Sequence, residues 1–253
     1  KALLEYNSKL YSYVWLGRGI AVDAVNDGAM GSASAAEAPE SSKSADNSDT
    51  NNQVEGVQEG DIIKNDGKYI YINTDKGVKI IDSNPINPKI AVTVPVPENT
   101  VVSEIFLAEG RLVVVGQNNY FQVIHNDKST AIRGIMPPEY YEDRTNVLIY
   151  NIENIEKPVL EKEYLFDGNY LSGRAIDDKL YLISTRYLNY RYDDIQEPDV
   201  PLPYYTDVLA NSKHEFGYDE IRYFPGYIDS RYMYTVGIDL KNKSSLPDVD
   251  VYL

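Results

Sequence analysis

Apolar and polar positions change rhythm twice along the chain. Over residues 1–27, Leu3, Tyr6, Leu10 and Val14 recur at spacings of three and four. That spacing lines one helix face, so the pattern predicts a helix with Gly17 and Gly19 as its stop. Residues 28–53 have no rhythm, and Met30 is their one large apolar side chain. Ordering a backbone costs roughly 1–2 kcal/mol per residue. Nothing in this Ser/Ala/Asp-rich stretch buries enough surface to offset that cost, so it reads as a flexible linker. From Val54 to Leu253 the pattern turns to short strands broken by turn residues.

The strands repeat. DGKYIYI (Asp66–Ile72), EGRLVVV (Glu109–Val115) and DDKLYLI (Asp177–Ile183) each join an acidic turn to a basic residue and an apolar strand. VKIIDSNPINP (Val78–Pro88), VLIYNIENIEKP (Val147–Pro158) and VGIDLKNKSSLP (Val236–Pro247) each end a strand in Asp82, Asn151 or Asp239, then close a polar turn on Pro. A side-chain oxygen at that point can hold the turn by accepting from backbone N–H groups. Asp66, Asp82, Glu109, Asn151, Asp177 and Asp239 therefore read as fold residues.

The spacing from Lys68 to Asp82 is 14 residues, from Asp82 to Arg111 is 29, and from Asn151 to Lys179 is 28. A unit of four short strands in about 43 residues predicts an all-β fold, a β-propeller of four-stranded blades. A β-sandwich is the alternative. The blades are expected at 57–98, 101–168 and 170–253. The second and third carry insertions at one equivalent place, 118–145 and 189–231. Three blades do not close a ring, so the chain reads as the front of a longer propeller, with an open apolar blade face at each end inviting self-association.

The charge narrows the partners. With 24 basic and 39 acidic residues the net charge is −15, which opposes nucleic acid and anionic membranes. No apolar run is long enough to span a bilayer. Zero Cys excludes disulfides and thiolate chemistry. The start at Lys1, without a leader pattern, reads as a mature or trimmed form.

Residues 51–84, NNQVEGVQEGDIIKNDGKYIYINTDKGVKIIDSNP with its preceding low-complexity stretch, resemble a family of secreted bacterial and archaeal β-propeller proteins distantly related to WD-type repeats. Asn51, Gln53, Glu55, Gly56, Val57, Glu59, Asp61, Ile62, Lys64, Asp66, Gly67, Tyr69, Ile70 and Tyr71 match its pattern. Gln58 and Gly60 depart from the Asp and Ala the family favours. The resemblance implies a secreted or surface location, and it supplies no catalytic residue.

The remaining signal is aromatic. The chain holds 23 Tyr, and 10 of them fall from Tyr187 to Tyr234. Tyr pairs an apolar ring with a polar tip and suits protein or glycan contacts. Tyr190, Tyr192, Tyr204, Tyr205, Tyr218, Tyr223 and Tyr227 of the longer insertion, with Tyr140 and Tyr141 of the shorter, are the candidate binding residues. The plainer alternative has the insertion covering an exposed edge. In the shorter insertion, Tyr120 to Ile124 and Ala131 to Met136 read as an extra hairpin. Asp193, Asp194, Glu197 and Asp199 are weak calcium ligands, since no D-x-D-x-D-G spacing is present. No cofactor is otherwise expected. His125 and His214 lie in different insertions without a catalytic spacing, and no nucleophile elbow or phosphate loop occurs. The reading is an extracytoplasmic scaffold that binds a protein or polysaccharide of the cell envelope. A surface hydrolase using rim carboxylates and a calcium-stabilised module are the alternatives.

Overall fold

The computed structural model describes residues 57–123, 139–188, 202–226 and 229–253, apart from the side chains of 119–123 and 139–142. The expected N-terminal helix (1–27) and linker (28–53) lie outside the described residues. No helix among the described residues is long and apolar enough to cross a membrane.

Three antiparallel blades form. The first is β2 (Ile63–Asn65), β3 (Tyr69–Thr74), β4 (Gly77–Asp82) and β5 (Lys89–Val94). The second is β6 (Thr100–Ala108), β7 (Arg111–Val123), β8 (Glu139–Asn151) and β9 (Val159–Asp167). The third is β10 (Asn169–Ile176), β11 (Lys179–Tyr187), β15 (Arg231–Asp239) and β16 (Asp248–Tyr252).

The remaining strands decorate these sheets. β1 (Val57–Glu59) leaves the first blade, in which the sequence placed it, and pairs with β10 of the third. Two residues on, Asp61 bridges Ile105 of β6 through reciprocal backbone bonds of 2.7 and 3.3 Å. Residues 57–65 thus touch the first strand of every blade. Glu59 pairs with Arg174 at 3.2 Å, and its carbonyl accepts from the Lys64 ammonium. This is the stretch that carries the family resemblance, and pairing across three sheets is a physical reason for a distinctive sequence there.

The turns explain the repeat and correct its alignment. Arg111 faces Asn151 and Lys179 faces Asp239, but Asp82 faces Tyr69 rather than Lys68. Gly67, Glu109 and Asp177 are therefore the equivalent first turn residues, all at positive φ. Asp66 sits one place earlier. Its Oδ1 accepts from the amides of Lys68 (2.9 Å) and Tyr69 (2.6 Å), and its Oδ2 accepts from the Tyr71 hydroxyl (2.8 Å). The Pro-closed turns use one device: Asp82, Asn151 and Asp239 accept from the amides of Asn84 (3.1 Å), Glu153 (3.0 Å) and Lys241 (2.9 Å).

Alternation sends successive side chains of each strand to opposite faces. Tyr71, Val78, Ile80 and Val94 of the first blade pack against Ile105, Leu112, Val114, Leu148 and Tyr150 of the second, all buried. Burial of each such aliphatic side chain stabilises by roughly 1.5–3 kcal/mol. The junction of the second and third blades is more polar. The buried Lys162 donates to the carbonyls of Asp239 (3.0 Å) and Ser245 (3.1 Å), while Asp167 holds Arg186 and the Tyr234 hydroxyl. Burial lowers the Lys162 pKa against the pull of nearby carboxylates, Asp239 first.

Candidate functional site

Both insertions leave their blades between the second and third strands. In the second blade, β7 and β8 simply lengthen, with Val123 opposite Glu139. The return strand is therefore Glu139 onward, and the proposed strand at Ala131 to Met136 lies outside the described residues. Tyr140 and Tyr141 belong to that ladder, opposite Gln122 and Phe121.

The longer insertion is split between two tasks. Its described part begins with β12 (Tyr204–Asp207), which pairs with β9 and so extends the second blade, not the third from which it emerges. A turn capped by Asp207, whose Oδ1 accepts from the Ala210 amide at 3.0 Å, leads into β13 (Ser212–Glu215), paired with β12. The ring of Tyr205 packs among Tyr164, Phe166, His214 and Phe216, at centroid distances of 5.3–6.4 Å. Tyr204 and Tyr205 are buried, which corrects their place among the candidate contact residues. The edge strand β9 needs a cover, and these rings supply it. His214 is a member of this cluster.

The second task is exposure. After Phe216 the chain turns at Gly217, whose amide donates to Glu220 Oε2 at 2.7 Å, and runs into β14 (Ile221–Arg222). β14 adds in parallel to β16, the outer strand of the third blade. Tyr218 (61 % exposed), Tyr223 (71 %) and Phe224 (58 %) stand out from this segment. Phe224 stacks on Tyr252 at 6.0 Å and 13°. Arg222 lies over the Tyr252 ring and pairs with Asp250 at 2.7 Å, which fixes the ledge at a strand edge. Phe224 and Tyr252 were missed from sequence; the run Arg222-Tyr223-Phe224-Pro225-Gly226, aromatics before a turn, was the available signal. Tyr190, Tyr192, Tyr227, Asp193, Asp194, Glu197, Asp199 and His125 lie outside the described residues.

The family model described as a beta propeller domain matches residues 47–253. The chain belongs to that family. No curated protein and no solved structure matches it.

The propeller has a concave feature as well. A cavity of about 380 Å³ opens where the first turns of the three blades converge, lined by Gln58, Asp66, Tyr71, Glu109, Arg111 and Asp177 among others. Two of its carboxylates are engaged in structure. Asp66 caps its turn and binds Tyr71, whose phenol is pushed up by burial and by that hydrogen bond. Glu109 pairs with Lys241 of the third blade at 3.1 Å. Among the described residues no group of three or more acidic or histidine side chains is placed to hold a metal ion. A carboxyl that burial does raise, Glu163, lies elsewhere, against Asn146.

Proposed function

We propose that this propeller is an extracytoplasmic binding module that presents an aromatic surface to a protein or polysaccharide of the cell envelope. One observation carries the reading: Tyr218, Tyr223 and Phe224 are held exposed on a segment anchored to a rigid sheet edge. Side chains of this kind lose little rotamer freedom on contact and offer large apolar area with a polar tip. Tyr190, Tyr192 and Tyr227 of the same insertion, with Tyr140 and Tyr141 of its neighbour, are proposed to extend the surface. The secreted location is supported by the resemblance at residues 51–84.

Affinity capture from envelope and cell-wall extract tests the proposal. Deleting residues 189–231 would strip β12 from the second blade, so the control bait is the triple variant Tyr218→Ser, Tyr223→Ser, Phe224→Ser. A partner held by the natural bait and lost by the variant supports the reading. Equal capture by both baits overturns it.

A further inference from the structure

Equivalent positions in the three blades share one burial rule, and it fails in two places. Tyr71, Val113 and Tyr181 occupy the same register position, facing the blade that follows. Tyr71 is 1 % exposed and Val113 0 %, because the second and third blades cover them, but Tyr181 is 45 % exposed. Around Tyr181, the positions matching the buried Ile80 and Ile149 are taken by Gly237, and those matching Val78 and Val147 by Thr235. The result is a groove of about 420 Å³ over Gly237, walled by Tyr181 and Ile183 and rimmed by Asp248 and Asp250.

The opposite face of the first blade is the reciprocal. Leu112 and Leu180 match Ile70, and Val114 and Leu182 match Ile72. In the second and third blades these side chains are buried against the preceding blade. In the first blade Ile63, Ile70, Ile72, Ile81 and Ile90 form an isoleucine stripe across all four strands, with Ile63 and Ile90 exposed. Lys79 stands within it, opposite in sign to Asp248 and Asp250.

We propose that these two faces meet between copies of the chain: the third-blade groove of one copy seats the isoleucine face of the other. The junction continues the blade-on-blade packing seen twice within the chain, so it needs no new geometry. Two such head-to-tail junctions close a ring of six blades, inside the range of four to eight that propellers adopt. Each copy carries a charge of −15, so repulsion opposes the pairing and salt strengthens it. The proposal is independent of the envelope-binding reading: a monomer that still captures its partner overturns only the pairing.

Sedimentation equilibrium of residues 1–253 at micromolar concentration is the test. The expected result is a species of twice the chain mass, tightening as salt rises. Ile72→Glu and Tyr181→Glu should each give a monomer with an unchanged circular dichroism spectrum. Mixed together they should form a one-to-one heterodimer, since each retains the face the other has lost. Lys79→Glu and Thr235→Arg repeat the test at neighbouring positions should either first variant misfold. A wild-type monomer, a dimer that survives both changes on the third-blade face, or a mixture that stays monomeric overturns the proposal.

Discussion

The ring of Tyr205 stands edge-on to that of Tyr164, centroids 6.4 Å apart, so a residue inserted into the third blade completes the core of the second. Tyr205→Ala should therefore destabilise the fold by about 3 kcal/mol, the usual range for truncating a buried aromatic. Tyr223→Ser, at an exposed position, should stay within about 0.5 kcal/mol of wild type. Urea unfolding followed by circular dichroism separates the two. Equal losses would mean that the exposed segment is also structural.

Gly60 makes a second case of tight packing. A Cβ at this position would lie 2.1 Å from Glu104 Oε2 and 2.7 Å from the Phe106 ring. Glu104 cannot swing away freely, because it accepts from the Tyr170 hydroxyl at 2.6 Å. Gly60→Ala is expected to cost about 1–3 kcal/mol, as overpacking does. Combining it with Glu104→Ala should recover part of that loss, and a double-mutant cycle in urea measures the coupling.

Glu163 lies half-buried beside Asn146, whose Oδ1 is buried and has no hydrogen-bond partner. Burial raises the Glu163 carboxyl above its ordinary value, against a hydrogen bond from Asn146 that lowers it. With the folded pKa above the unfolded one, the folded state holds the proton more tightly. That contribution is present below the unfolded pKa and is lost as pH rises through the folded pKa. Glu163→Gln removes the penalty at neutral pH and brings an amide donor near Asn146. The expected gain is about 0.5–1.5 kcal/mol at pH 7, shrinking toward pH 4. Thermal melts across that range check it, and a pH-independent difference would refute the assignment.

The alkaline limb belongs to the buried phenols. Burial pushes Tyr150 and Tyr164 up to about 12, with the neighbouring charges of Glu163 and Asp207 adding to the effect. Their folded pKa values exceed the unfolded 10.0, so their contribution is whole below pH 10 and is lost as pH rises toward 12. Phenolate absorbance from these rings should grow together with unfolding. Tyr150→Phe should shift the unfolding midpoint to higher pH, since Phe has no proton to lose. The same substitution also removes the 2.5 Å bond to the Pro95 carbonyl, so its neutral-pH stability should fall by about 1 kcal/mol.

Local chemistry accounts for what was legible from sequence. Asp82, Asn151 and Asp239 hold their turns through amides two residues on, and the left-handed turn residues lie within a few positions of the strands they join. Such interactions need no knowledge of distant chain. The repeat, the strand alternation and the blade architecture therefore follow from the sequence itself. The one-residue slip at Lys68 arose because Asp66 resembles Glu109 and Asp177 in type while serving a different place in the turn.

The tertiary structure decided where unlike segments meet. β1 pairs with β10 across more than a hundred residues, and β12 crosses to the second blade, because an open strand edge accepts any backbone that reaches it. Backbone pairing carries little side-chain code, so neither partner is written in local pattern. Tyr205 and Tyr223 look alike in sequence, one buried and one exposed. Their difference is set by the edge each segment reaches, and only the packed sheets determine that.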